Sequence, residues 1–299
     1  MRVALIGLGD IARKAYLPVL TATPGVTPVL VSRRRSTVDD VGERYRVADR
    51  FTSLEQAIDS GLDAATVHAP TETHPGIVTT LLRAGVPVLV DKPVASDHAT
   101  AAQVVGLATE LGVSLAVGFN RRYAPAYAQL AQWPDRDVVT LAKHRAHPLG
   151  EARPMVVDDF IHVLDTLRFL VPSSLTDLSV SVRRGPDGAS RRLAVQFTGE
   201  DRLAIGLMSW TAGMAHELLD VVGDGRRRQV VDLADVVDLA GEERLVRRNG
   251  WRPATELRGF DAMCADFLTA VREGRRLDAT DALLTHELCE RVVAAATAA

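Results

Sequence analysis

The chain has 299 residues, of which 47% are hydrophobic and 24% charged, with a formal net charge of −3 at pH 7. That length predicts two domains, or one large domain with an appended layer. The balanced charge leaves no basic footprint for nucleic acid and no apolar run reaches the roughly 18 residues of a membrane span, so a soluble, cytoplasmic protein without nucleic-acid or membrane partners is expected.

The opening MRVALIGLGD reads as a buried strand entering a turn, because glycines and Asp10 interrupt its short apolar run at once. Further apolar runs follow Val3 to Ile6, at Pro28 to Val31, Ala64 to Ala69, Val86 to Val90 and Ser114 to Val117. Helical segments are predicted between them, near residues 10 to 21, 37 to 46, 53 to 60, 74 to 84 and 97 to 111. Near-continuous apolar strands alternating with helices imply an α/β fold with a parallel, doubly wound sheet covered on both faces.

The first strand runs into GLGDIA, that is Gly7, Leu8, Gly9, Asp10, Ile11 and Ala12, a GxGxxA spacing that opens a helix. Gly7 permits the tight turn, Gly9 lets a pyrophosphate approach backbone N–H groups, and Ala12 allows close helix–strand packing. The strand before and helix after make this a dinucleotide-binding signature rather than a plain glycine turn. About 20 residues beyond the glycines, NAD sites place a carboxylate for the ribose hydroxyls. Here the stretch reads VLVSRRRST, with Ser32 followed by Arg33, Arg34 and Arg35. A hydroxyl beside guanidiniums suits a 2′-phosphate, so NADP is the expected cofactor, with NAD the alternative.

The run VHAPTETHP would bring Ala69, Pro70 and Thr71 to the carboxyl edge of the sheet, where such folds bind their ligand, with His74 capping or lining the site. The same edge is expected to carry Asp91 and Lys92 in VDKPVA. Only Lys14, Lys92 and Lys143 are lysines among 35 basic residues. Pro93 biases Lys92 toward an extended backbone, and lysine, unlike arginine, can share its proton. Lys92 is thus a candidate acid/base group, or else a structural partner for Asp91.

Beyond residue 120, strand-like segments at Val138 to His144, Leu178 to Arg183, Arg191 to Phe197, Leu203 to Ser209, Glu217 to Val222 and Gln229 to Asp232 suggest an antiparallel sheet. Lys143 and Arg145 share a strand face and could reach an anionic or polyhydroxylated substrate, or form a solvated edge. In VVDDFIHVLDTLRFL, Asp158, His162 and Asp165 fall at i, i+4 and i+7 on one helix face. His162 is a candidate general base, with Asp158 one turn away to orient it. No further ligand cluster accompanies the pair, so no metal site is expected. Helices near 257 to 273 and 279 to 296 close the chain and are expected to pack back on the first domain. Cys264 and Cys289 lack any partner spacing and are expected to be inert buried thiols.

With GLGDIA, VDKP, GFNRRYAPAY and DDFIHVLD in this order, the chain resembles the Gfo/Idh/MocA oxidoreductases over essentially its whole length. IARKAYLPVL, VGFNRRYAP, DDFIHVLDT and GWRPATELRGF are similar to its MviM-like branch. The resemblance implies a Rossmann domain, placed at residues 1–120, and a C-terminal α+β domain at 121–299 with an open, mostly antiparallel sheet that mediates homodimers or homotetramers. It implies reversible NAD(P)-dependent oxidation of a sugar or cyclitol hydroxyl, with Lys92 and Asp91 standing for the family's Glu-Lys-Pro and with Asp158 and His162 as its Asp-x-x-x-His pair. Asn120 matches a position close to the nicotinamide, with Arg121 and Tyr123 beside the substrate. The chain departs from the pattern at Asp159 and Phe160, which are expected to reshape the pocket. Some relatives are cofactor-assisted glycosidases or sensors without turnover, and both remain alternatives at this stage.

Overall fold

The computed structural model describes residues 1–146, 150–172, 177–199 and 201–298. They form two compact units, residues 1–118 with 260–284 and residues 119–259 with the remainder.

In the first unit, β1 (Arg2–Ile6), β2 (Thr27–Val31), β3 (Arg50–Phe51), β4 (Ala64–Val67), β5 (Val88–Val90) and β6 (Leu115–Val117) form one parallel sheet in the order β3-β2-β1-β4-β5-β6. This is the doubly wound order of dinucleotide-binding domains. Consecutive residues Val3, Ala4 and Leu5 are all fully buried, as a sheet covered on both faces requires. On one face Ala4, Val29, Ala65 and Val88 join Val78, Leu81 and Val104 in a single core cluster. Two of its helices start at side-chain caps: Ser53 accepts from the Gln56 N–H at 3.2 Å and Asp97 from the Thr100 N–H at 2.8 Å. The short β3 carries no periodic signal in the sequence. It aligns because Ser32 N–H donates to the Phe51 carbonyl at 3.2 Å.

The helix Phe260–Glu273 belongs to the first unit although it lies far along the chain. Phe260 packs edge-on against Tyr16 at 5.3 Å, and the Leu115 N–H donates to the Leu277 carbonyl at 3.2 Å. The last helix, Thr280–Ala298, divides differently from the expectation that it packs on the first domain: residues from Thr285 onward count with the second unit. There Thr285 accepts a 2.8 Å hydrogen bond from Arg168, and Glu290 pairs with Arg153 at 2.7 Å.

Among the described residues of the second unit, β7 (Val138–Ala146), β8 (Ser179–Arg184), β9 (Ser190–Gly199), β10 (Arg202–Ser209), β11 (Thr211–Gly223), β12 (Arg226–Val231), β13 (Asp235–Leu239) and β14 (Glu243–Val246) build a sheet in the order β14-β13-β12-β11-β7-β10-β9-β8. Every pairing is antiparallel except β7 with β10. The helix Ile161–Leu170 lies on this sheet. A Cβ at Gly206 would sit 2.8 Å from Val163 and 2.9 Å from Leu167, so that glycine sets how closely helix and strand approach. The preceding π-helical turn, Met155–Phe160, is positioned by this packing.

Candidate functional site

The carboxyl edge of the parallel sheet gathers the nucleotide candidates, because β1, β2, β4 and β5 end there at Gly7, Ser32, His68 and Asp91. Gly7 has φ +87°, and a Cβ there would fall 2.5 Å from the Ala69 nitrogen. Only glycine allows this turn to lie against the β4 loop. Gly9 is the opposite case: an added Cβ meets no atom within 4 Å, which leaves open space beside the helix start. Gly9 and Asp10 are exposed, while Leu8 and Ala12 are buried beneath them. A tight glycine turn, an open cradle and a following helix fit a dinucleotide pyrophosphate.

At the end of β2, Ser32 is half-buried and Arg33 and Arg34 are exposed. Among the described residues neither arginine makes an ion pair, whereas Arg35 lies 3.8 Å from Asp39. Asp40 is engaged by Arg13 at 3.0 Å. Pro70 is exposed and Thr71 opens a short 3₁₀ turn, Thr71–Thr73. His74 corrects the expectation that it lines the site. It is buried, and its two ring nitrogens lie 2.7 Å from the carbonyls of Ala69 and Pro93, so the ring fastens two loops together.

Lys92 is half-buried, and its peptide bond to Pro93 is cis. Asp91, just before it, accepts a 3.1 Å hydrogen bond from the buried Tyr16 hydroxyl. Burial raises the Asp91 carboxyl above its usual range, against the opposing pull of Lys92 and of the Tyr16 hydroxyl. The Tyr16 ring stacks 3.8 Å from His68, whose Nε2 lies 3.0 Å from the Thr66 hydroxyl. Burial, with His74 nearby, lowers His68 to about 3, so it is neutral at physiological pH.

In the second unit the Met155–Phe160 turn and the helix after it carry Asp158, exposed, and His162, half-buried, one turn apart. Asp165 does not continue that pair. It is buried and bound bidentately by Arg122 at 2.6 and 3.0 Å, and it accepts from Thr285 at 3.0 Å. Phe160 is fully buried and is absent from the wall of the cavity described next, so it packs the core instead of crowding that cavity. Asp159 has the larger effect: it accepts from Lys143, from Arg145 at 3.2 Å and from the Trp210 indole at 3.1 Å. Burial alone would raise this carboxyl, but Lys143, Arg145 and Trp210 together hold it below its usual value.

A cavity of about 250 Å³ opens at the end of β7 and β11, lined by Arg121, Lys143, Arg145, Glu217 and Arg258 among others. Arg121 grips Glu217 through two bonds of 2.8 and 2.6 Å, and the Tyr127 hydroxyl adds a third at 2.9 Å. Burial would raise Glu217, but the Arg121 charge and these bonds bring it down to about 2. Lys143 is lowered to about 7, chiefly by burial and then by Arg121, although Asp159 pulls the other way. Asn120 donates its amide N–H to the Arg258 carbonyl at 2.8 Å, which ties the NRRY turn, and Tyr123 within it, to the loop before residue 260.

Tyr16, Glu217 and Trp210 were not among the sequence candidates. Glu217 had a signal: it shares the inward face of its strand with Leu219 and Val221. Tyr16 had none, since its partner Asp91 lies 75 residues away.

Residues 1–119 match the oxidoreductase family with an NAD-binding Rossmann fold, and residues 125–240 match the YceM-like C-terminal domain. YceM of Salmonella typhimurium is 32% identical over 279 residues, covering 91% of this chain and 90% of YceM. Inositol 2-dehydrogenase 1 of Saccharopolyspora erythraea is 26% identical over 310 residues, covering 97% and 88%. The crystal structure of a Gfo/Idh/MocA family oxidoreductase from Vibrio cholerae superposes with a TM-score of 0.92 at 30% identity, covering 99% of each chain. With the doubly wound nucleotide edge, the mostly antiparallel second sheet and these matches together, the chain belongs to the Gfo/Idh/MocA family of NAD-binding oxidoreductases.

Proposed function

We propose that the chain is an NADP-preferring dehydrogenase or reductase that acts on a hydroxyl or carbonyl of a small polyhydroxylated molecule, a sugar, a cyclitol or a related compound. The observation that carries this reading is the end of β2, where Ser32 replaces a ribose-binding carboxylate and the exposed Arg33 and Arg34 have no ion-pair partner among the described residues. Two guanidiniums that no described residue pairs with suit a 2′-phosphate, and the neighbouring carboxylates Asp39 and Asp40 are already engaged by Arg35 and Arg13. The similarity to an inositol dehydrogenase supports a polyol-like substrate.

Bound NADP supplies the hydride acceptor. In the oxidation direction the substrate carbon gives up a hydride and its hydroxyl a proton, and the carbonyl forms from the electrons left behind. His162 is suited to take that proton, since imidazole is the side chain whose ordinary titration lies nearest neutrality, and Asp158 stands one turn earlier. Lys92 is assigned the other acid/base role, because an ammonium can share its proton as the charge on a substrate oxygen changes. Asp91 beside it, tied by Tyr16, fixes the backbone that carries the ammonium.

The test is direct. Single-turnover hydride transfer from NADPH, followed at 340 nm across a panel of sugar and cyclitol ketones, should be lost on Lys92→Ala and on His162→Ala. NADPH affinity in the His162 variant should stay within a factor of about three. Hydride transfer undiminished in either variant would overturn the assigned roles, and equal affinity for NADH and NADPH would overturn the cofactor preference.

A further inference from the structure

We infer that the cavity at the end of β7 and β11 is an anion-binding subsite, and that the substrate carries a carboxylate or phosphate which this subsite holds. The inference rests on the dehydrogenase reading for the word substrate, and on the cavity alone for the word anion.

The lining is unevenly charged. It presents the cations Arg121, Lys143, Arg145, Arg248 and Arg258 against the carboxylates Glu217 and Asp232. Arg121 and Glu217 cancel each other through their bidentate bond. Asp232 spends one oxygen on the Glu217 backbone N–H at 2.9 Å. Behind the wall, the single carboxylate Asp159 serves both Lys143 and Arg145. Among the described residues no carboxylate forms an ion pair with Arg248 or Arg258, and both are exposed at the rim. Positive charge is therefore left over in the wall, carried mostly on arginines, whose planar forks match carboxylate and phosphate oxygens in pairs. Lys143 is lowered chiefly by burial, and Arg121 and Arg145 add to this by disfavouring its charge.

The cavity adjoins the proposed chemistry within this unit. Lys143 donates to the carbonyl of Asp159 at 3.1 Å, and Asp159 is the residue after Asp158 on the turn that leads to His162. An anion held by Arg145 and Arg258 would lie beside that turn. At about 250 Å³ the space falls below the roughly 300–1,000 Å³ of sites for drug-sized ligands. It suits the charged end of a monosaccharide-sized molecule, such as a sugar acid or sugar phosphate.

Isothermal titration calorimetry on the full chain with D-glucose, D-glucuronate, D-glucose 6-phosphate and inorganic phosphate tests this without turnover. At least one of the two anionic sugars should bind about tenfold or more tightly than glucose. Arg258→Ala, at an exposed side chain, should remove most of that advantage, and the Arg145→Ala/Arg258→Ala double variant all of it, with the thermal midpoint checked for both. Equal binding of glucose and both anionic sugars, or an advantage that survives in both variants, would overturn the subsite. Inorganic phosphate binding as tightly as the sugar phosphate would mean a free-anion site and would overturn the substrate assignment. Absence of hydride transfer to any panel member would count against the dehydrogenase reading while leaving the calorimetric result intact.

Discussion

The Tyr16 hydroxyl donates a 3.1 Å hydrogen bond to Asp91 Oδ1, so a residue in the first helix holds the side chain directly before Lys92. The two groups also crowd position 118: a Cβ there would lie 2.8 Å from Tyr16 Oη and 2.9 Å from Asp91 Oδ1. Tyr16→Phe leaves the buried Asp91 carboxylate without this donor and should cost about 1–3 kcal/mol of stability. Tyr16 opposes the rise of Asp91, so its loss pushes that carboxyl higher still. A carboxyl raised in the folded state binds more protons there than in the unfolded chain, so stability falls as pH climbs above the ordinary carboxylate value. The decline should be steeper in Tyr16→Phe than in the parent, as chemical denaturation between about pH 4 and pH 7 would measure.

Gly7 and Gly9 separate folding from ligand binding. Gly7→Ala places a Cβ against the Ala69 backbone at φ +87°, and that conformation alone costs about 1–2 kcal/mol for a non-glycine residue. The thermal midpoint should drop. Gly9→Ala meets no protein atom within 4 Å, so the midpoint should hold while NADPH affinity falls about tenfold or more as the methyl occupies the pyrophosphate's place. An unchanged Kd for Gly9→Ala would refute the placement of the pyrophosphate.

Arg33→Ala should weaken NADPH by about 10- to 100-fold, the value of one or two charge-assisted hydrogen bonds. NADH affinity should hardly change, because its ribose lacks the phosphate. Fluorescence titration of both nucleotides against both proteins reads the ratio directly.

Glu217 makes the fold acid-sensitive. Its folded value of about 2 lies below the ordinary 4.5, so the unfolded state binds more protons across that interval. The stabilisation is fully present above about pH 4.5 and is lost as pH falls toward 2. Glu217→Gln removes the charge opposite the buried Arg121 and should cost about 3–5 kcal/mol near neutral pH. It should also flatten the acid limb of the stability profile. A variant with the parent's acid limb would show that other carboxylates govern it.

The first sheet was legible because both faces are buried: runs such as VALI, VLV and AATV are continuous, and continuous apolar runs between helices leave few topologies. The second sheet was legible only where one face is covered. β7 and β11 alternate, but β13 and β14 are half-buried or exposed throughout, and without contrast between faces they pass for loop. The same contrast explains the candidate site. Gly7, Gly9 and the arginines after β2 lie in local motifs, so a short window contains their logic. His74, Asp165, Phe160 and Lys143 take their roles from partners on other elements, and spacing along one helix or strand is silent about those. Asp165 shows this most clearly, since its i+7 position matched the face of His162 while Arg122 and Thr285 held it in the interior.

His74 joins the carbonyl of Ala69 to that of Pro93 with 2.7 Å contacts on both sides of one ring. A rigid five-membered ring spanning two segments works as a tie rod. The segment after β4 and the segment that follows Lys92 are thereby pinned to one ring, so their spacing is set by an imidazole's width and not by either loop alone.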